Sequence, residues 1–333
     1  MAPLEFFAAL IIMHYIPTPI PPLIENNCQN NCLHVFLIHN PVAIIMTMMM
    51  VDAFKIPRDK VRVVGIRHTS TKMTGFHELA LKERDCDRYI NRITGRNFAA
   101  RRLRREHLHD LNYIVYASWV YPEVEELLSS KRSLGLIAFE EGQQSYYLST
   151  TYRHNFLNRW LFRRRKVLNG SISHYFRGDT TAYVGLTDEA FPLVPKDRRY
   201  VLSNVHSAAQ KYAPRLKGIT AIGLMPAPRR LLAEDVLPAI DKLIETMHGR
   251  GVIKMHPGYL SEQYYEPSRF AKYIEKRSDG LITLCPDDAL LELEMLVEEK
   301  KLYGARSSLV RYADLLGSSF EQVYFDNYIA PII

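Results

Sequence analysis

Short apolar runs alternate with longer stretches of helical periodicity along most of the chain, and turn-forming residues punctuate them. Val35–Ile38 runs into the turn residues His39-Asn40-Pro41, and a Met-rich, helix-compatible stretch follows. The theme recurs at Val61–Ile66, at Tyr113–Ala117 before Pro122, and at Leu134–Phe139 before the acidic turn at Glu140. Strands separated by helical segments of this length predict a parallel sheet covered on both faces. After the polar, proline-containing stretch Pro195–Lys217, expected to connect two domains, a second series begins. Its predicted strands are Thr220–Leu224, Gly251–Met255, Leu281–Leu284 and Lys301–Tyr303. They alternate with helices around Leu231–Met247, Glu262–Lys276 and Ala289–Glu299, and one from Ser307. The expected architecture is α/β, with two doubly wound, Rossmann-like domains at residues 34–200 and 201–333 and an N-terminal extension at 1–33.

Length agrees with this division, since 333 residues at 47% apolar exceed what one core holds and suffice for two. Four scattered cysteines, Cys28, Cys32, Cys86 and Cys285, make neither a disulfide framework nor a zinc ribbon, which favours a reducing compartment. The net charge of +7 comes largely from Arg101, Arg102, Arg104 and Arg105 and from Arg163, Arg164, Arg165 and Lys166. Such clusters attract anions in general, so they choose no partner by themselves, and they also occur as solvated helix faces. The apolar stretch Leu4–Ile16 is shorter than the ~20 residues of a membrane helix and runs into Pro17, Pro19, Pro21 and Pro22. With no secretory signal pattern either, the expectation is a cytoplasmic protein. Tyr152–Lys166, with aromatic and aliphatic residues among arginines, suits a peripheral contact on the inner face of an anionic membrane, interdomain packing or an anionic acceptor.

In open parallel sheets ligands bind beyond the carboxyl ends of the strands, so polar residues directly after an apolar run are the candidates. Three loops qualify. In Glu140-Glu141-Gly142 two carboxylates follow a strand, and a carboxylate crowded by a like charge has its pKa raised towards that of a general base for a sugar hydroxyl. The alternative for this loop is an acidic surface turn. In His256-Pro257-Gly258 a histidine ends a strand, where it suits a phosphate contact or an acid assisting a leaving phosphate; a satisfied core histidine is the alternative. In Gly304-Ala305-Arg306-Ser307-Ser308 a glycine turn and two serines open a helix, where free N–H groups, the helix dipole and the hydroxyls suit a phosphate, or where the serine simply caps the helix.

In order and spacing these loops resemble the D/E-D/E-G, HP and S-S/T motifs of the bacterial lipooligosaccharide sialyltransferases and capsular polysialyltransferases. The resemblance runs from about Val35 to Leu315, including His39-Asn40-Pro41; the first 33 residues match nothing in those enzymes. It implies a GT-B fold with an interdomain active-site cleft, an acceptor-side N-terminal domain and a CMP-sugar-binding C-terminal domain. It also implies inverting transfer of sialic acid from CMP-sialic acid to a glycan or glycolipid hydroxyl, with no metal or other cofactor. Glu140 would be the base and His256 the phosphate contact, with Ser307 and Ser308 on the phosphate oxygens and Glu141, Gly142 and Pro257 in support. Gly304, Gly223 and either Glu292 or Glu294 would serve the nucleotide, and His39 and Asn40 the acceptor side.

Other signals weigh less. Asp85-Cys86-Asp87 has the DxD form but lies within a helical pattern, and His107 and His109, beside Glu106 and Asp110, lack a further ligand. Asn169-Gly170-Ser171 fits a glycosylation sequon and equally a turn. Transfer of Kdn or Kdo, a nucleotide-sugar 2-epimerase, and a basic module binding nucleic acid or membrane without catalysis stay open as alternatives. Nucleic acid is not the expected partner, because no RNP-type aromatic pattern or zinc-finger spacing is present.

Overall fold

The structure is a computed structural model that describes residues 19–27, 32–66, 74–81, 97–118, 122–146, 180–202, 206–256, 258–259, 262–305 and 309–328. Ser307, Ser308, Pro257, the Asp85-Cys86-Asp87 triplet, Tyr152–Lys166, the Asn169 sequon and Leu4–Ile16 lie outside the described residues. The chain divides into two compact units, Met1–Ala208 and Ala209–Ile333. Each is a Rossmann-like α/β unit built on one parallel sheet, the two-domain make-up expected of a GT-B chain.

In the first unit the strands are β1 (Cys32–Ile38), β2 (Val61–Gly65), β3 (His77–Glu78), β4 (Asn112–Ala117), β5 (Ser133–Phe139), β6 (Thr180–Gly185) and β7 (Arg199–Val201). They lie in the order β3-β2-β1-β4-β5-β6-β7, every neighbouring pair parallel. All seven residues of β1 are buried, because a central parallel strand has both faces covered, and only His34 interrupts its apolar run. The helix α1 (Pro41–Ala53) starts where Asn40 Oδ1 accepts the Ala43 N–H at 2.8 Å and Pro41 takes the first-turn position. Ten of its residues are buried, so its apolar residues go all the way round instead of forming one stripe. By contrast α2 (Phe98–His107) buries Ala99, Ala100 and Leu103 on one face and carries the first arginine cluster outside. There Arg104 pairs with Glu126 at 3.2 Å, on α3 (Pro122–Leu128), so part of that basic cluster serves helix packing.

Four strands, β3, β6, β7 and the later Ser319–Gln322, have no counterpart in the sequence reading. Strand β7 lies inside Pro195–Lys217, the stretch expected to be a connection, yet it pairs with β6 through Tyr183, Val184 and Gly185. Its three residues are only half-buried, so it lacks the apolar run of the interior strands.

The second unit is a five-stranded sheet in the order β10-β9-β8-β11-β12. Its strands are β8 (Ala221–Leu224), β9 (Gly251–Lys254), β10 (Ile282–Leu284), β11 (Lys301–Gly304) and β12 (Ser319–Gln322), all parallel. Helices α4 (Val236–Thr246), α5 (Pro267–Arg277), α6 (Leu291–Val297) and α7 (Leu309–Leu315) alternate with them. Its core joins Ile240 and Leu243 of α4, Phe270 and Ile274 of α5, and Ile253 and Ile282 of the sheet. Among the described residues no helix is long and apolar enough to cross a membrane.

Candidate active site

In both sheets the strand order reverses beside the first strand of the unit, between β1 and β4 and between β8 and β11. Loops diverge there at the carboxyl edge, which makes the ligand crevice of an open α/β sheet.

At the first unit's edge the loops after β1, β4 and β5 bring His39, Ser118 and Glu141 into one hydrogen-bonded chain. His39 Nε2 lies 2.9 Å from Glu141 Oε2, and Ser118 Oγ lies 3.0 Å from His39 Nδ1. Asn40 completes the cluster: its Nδ2 donates to the Glu141 carbonyl at 3.1 Å while its Oδ1 caps α1. The Glu141 N–H in turn donates to Ser145 Oγ at 3.2 Å. Gly142, with φ of +137°, occupies backbone space that other residues rarely adopt, so the acidic loop can turn away from β5 at once.

Glu140 departs from its expected role. It is fully buried, its Oε1 accepts from Tyr146 OH at 2.7 Å, and its Oε2 accepts from the Leu186 N–H at 2.7 Å. Its own N–H donates to Val184 O at 2.9 Å. Both carboxylate oxygens are thus committed to joining the ends of β5 and β6. A base must have an oxygen turned to the substrate proton. In this geometry Glu140 ties the ends of β5 and β6 together, whereas its neighbour Glu141 is the one that reaches the crevice histidine.

At the second unit's edge His256 follows β9 and is exposed. Its Nδ1 accepts the Gly258 N–H at 3.0 Å, so the neutral ring carries its proton on Nε2. A Cβ at Gly258 would stand 3.0 Å from Pro228 and 3.1 Å from that Nδ1, so a bare backbone lets the turn close on the histidine. Gly304 ends β11 on the other side of β8, and a Cβ there would lie 2.7 Å from the Leu224 carbonyl oxygen. It allows the two strand ends to approach closely at the crevice.

The two glutamates of α6 separate cleanly. Glu294 is fully buried and accepts from Tyr212 OH at 2.7 Å, Arg215 N at 2.6 Å and Leu216 N at 3.1 Å, so it pins the segment entering the unit. That corrects its candidacy for the nucleotide. Glu292, 8% exposed, has its carboxyl pKa raised by burial, with Lys254 of β9 acting in the opposite sense. A carboxyl whose pKa burial raises, in the field of a strand-end lysine, is the better candidate of the pair. Gly223 is corrected too: it lies inside β8, where a Cβ would meet Met247 Sδ at 2.8 Å, so its smallness serves packing against α4.

Three further features bear on chemistry. Among the described residues no group of three or more His, Cys, Asp or Glu could hold a metal; His109 merely pairs with the exposed Asp110. Burial pushes the Cys285 thiol up to about 11, which keeps it protonated and unreactive. A cavity of about 330 Å³ opens between α4 and α5, lined by Val236, Leu237, Phe270 and Tyr273 with Arg269 and Lys272, and no strand-end residue borders it. Sequence reasoning missed Ser118, Tyr146 and Leu186. Ser118 carries the very signal used elsewhere, a polar residue directly after an apolar run.

No protein-family model matches the chain, and no curated protein matches it. Among solved structures it is similar to the UDP-GlcNAc 2-epimerase from Neisseria meningitidis bound to UDP-GlcNAc, at 13% identity and a TM-score of 0.46 over 87% of this chain and 81% of that one. The UDP-N-acetylglucosamine 2-epimerase from Rickettsia bellii is similar at 12% identity and a TM-score of 0.47, over 86% and 78%. CalG4, the calicheamicin glycosyltransferase, follows at 10% identity and 0.44, over 87% and 78%. These are similarities of chain path, and no residue role passes from them to this chain.

Proposed function

We propose that the protein is a nucleotide-sugar-dependent glycosyltransferase that moves a sialic acid from a CMP donor to a hydroxyl of a glycan or glycolipid. The observation that carries this reading is the placement of the acidic and histidine motifs: each follows an interior strand of its own Rossmann-like sheet, Glu141 with His39 on one and His256 on the other. A purely structural pair of domains has no need of both. On this reading the Nε2–H of His256 donates to the CMP phosphate as its bond to the anomeric carbon breaks, and it stabilises the charge that develops there. Ser307 and Ser308 hold phosphate oxygens, and Glu292 supports the nucleotide. CMP leaves with the electron pair of the broken bond, so the protein's task is to position the donor and to take a proton from the incoming hydroxyl. No step calls for a divalent cation.

The test is CMP release with CMP-Neu5Ac, CMP-Kdn and CMP-Kdo offered separately beside a panel of UDP-sugars, with and without EDTA. The expected result is turnover of a CMP donor that EDTA leaves unchanged, and a loss of about 10²–10³-fold in kcat for His256→Ala. Turnover of a UDP-sugar alone would overturn the reading.

A further inference from the structure

We infer that Ser118, His39 and Glu141 form a proton-accepting chain, with His39 as the general base for the incoming hydroxyl, Ser118 as the hydroxyl that relays the proton, and Glu141 as the positioning carboxylate. The inference deepens the glycosyltransferase reading and rests on it for the identity of the hydroxyl. The hydrogen-bond chain itself stands on geometry.

Proton positions in this chain follow from its chemistry. An ionised carboxylate only accepts, so the 2.9 Å contact between Glu141 Oε2 and His39 Nε2 needs a proton on Nε2. Asn40 Nδ2 also lies 3.1 Å from Nε2, but its orientation is set by the Ala43 N–H on its Oδ1, and it has the Glu141 carbonyl to donate to. The charge-assisted bond to the carboxylate is the stronger of the two competing for Nε2. With Nε2 protonated, Nδ1 of the neutral ring holds a lone pair. Ser118 Oγ, 3.0 Å away, is then the donor to it.

The arrangement is therefore Ser118 O–H to His39 Nδ1, and His39 Nε2–H to Glu141. Each member comes from a different strand end: Ser118 from β4, His39 from β1 and Glu141 from β5. The Ser118–His39 bond bridges the strands between which the sheet order reverses. Side chains of His39 and Glu141 are only 7% and 6% exposed, so bulk water does not compete for the proton. Side chains fix the Glu141 main chain on both sides, Asn40 Nδ2 donating to its carbonyl and its N–H donating to Ser145 Oγ.

The step balances. As the acceptor oxygen forms its bond to the anomeric carbon, its proton passes to Ser118 Oγ, and the Ser118 proton passes to His39 Nδ1. The imidazolium formed sits against the Glu141 carboxylate. CMP carries off the electron pair of the broken bond, and His39 later returns the proton to water by the reverse relay. Glu140 is not a member of this chain; its oxygens accept from Tyr146 and Leu186.

The experiment joins a tautomer measurement to kinetics on the full-length protein. In ¹⁵N-histidine-labelled protein the signals lost in His39→Gln identify this ring among the others. The expected spectrum has a protonated Nε2 and an unprotonated, hydrogen-bonded Nδ1; a proton on Nδ1 instead overturns the chain whatever the enzyme does. Kinetically, His39→Gln is expected to lose about 10²–10³-fold in kcat with the donor KM unchanged, and to lose the acid limb of the wild-type pH profile. Ser118→Ala is expected to lose at least about tenfold, with Ser118→Thr restoring most of it, which a purely structural serine would not require. Retained kcat in a folded His39→Gln overturns the inference. If no CMP donor turns over in the wild type, the sialyl-transfer reading fails alone, and the tautomer still decides the hydrogen-bond chain.

Discussion

The carboxyl edges of the two sheets are built differently although the sheets share a topology. In the first unit the edge is buried and cross-linked: Asn40, Ser118, Glu141 and Ser145 hold one another and His39. In the second, among the described residues, His256 is exposed and accepts a backbone N–H from its own turn. A group that must take a proton needs a fixed neighbour and little water. One that must meet a phosphate needs reach. The same division runs through the acidic residues, because in each unit one carboxylate is bound to main-chain and tyrosine donors, Glu140 and Glu294, and another, Glu141 or Glu292, lies by a basic partner.

The largest effects should come from the two bound carboxylates. Glu294→Ala strands three buried or half-buried donors and is expected to cost about 4 kcal/mol; Glu140→Ala strands two and should cost about 3 kcal/mol. Glu141→Gln and Glu292→Gln should stay within about 1 kcal/mol of the parent. Glu292→Gln should even gain slightly at neutral pH, because an acid whose folded pKa is raised contributes stability below its unfolded pKa and loses it as pH rises through the folded one. Urea denaturation of the four variants, followed by a signal from each unit, checks this. Equal losses in all four would erase the distinction between structural and crevice carboxylates.

How far the site could be read from the chain depends on where its partners lie. Strand-end residues next to apolar runs were legible, since β1, β4, β5, β8, β9 and β11 bury most of their residues and announce themselves. Glu140 and Glu141 were found together, but which of them faces the crevice depends on Tyr146 and on Leu186 beyond β6, a strand hidden by its threonines. The two residues directly follow β5, where the chain turns at Gly142, and one residue's difference decides which way the carboxylate points. Glu292 and Glu294 pose the same problem on a helix, where positions two apart point to different sides. The serines at 307 and 308 remain a matter of sequence alone.

A second test sharpens the contrast between the units through acid. His34, in the middle of β1, is buried with its Nδ1 2.7 Å from Tyr116 OH, and desolvation pushes its pKa down to about 4 from 6.5. The folded unit keeps the ring neutral while the unfolded chain protonates it first. Its contribution is therefore complete above about pH 6.5 and is lost as pH falls towards 4, on the order of 3 kcal/mol in all. Thermal melts between pH 7 and pH 4 should show the first unit weakening over that window, and His34→Gln should flatten the slope. A slope that survives His34→Gln unchanged would assign the acid sensitivity to other groups.

The smallest effects test whether the second unit's open edge is nevertheless tightly built. A Cβ at Gly304 meets backbone, the Leu224 carbonyl oxygen at 2.7 Å, whereas one at Gly223 meets the sulfur of Met247 at 2.8 Å. Backbone in a paired strand has nowhere to go, but a methionine side chain can change rotamer. Gly304→Ala is expected to cost about 2 kcal/mol and Gly223→Ala about 1 kcal/mol or less. Because Gly304 leads directly into the proposed phosphate loop, its substitution should also raise the donor KM, and Gly223→Ala should leave KM unchanged. If the two alanines prove equally costly and kinetically alike, the close approach of β8 and β11 has no bearing on the nucleotide side, and the open edge is set by His256 and its turn.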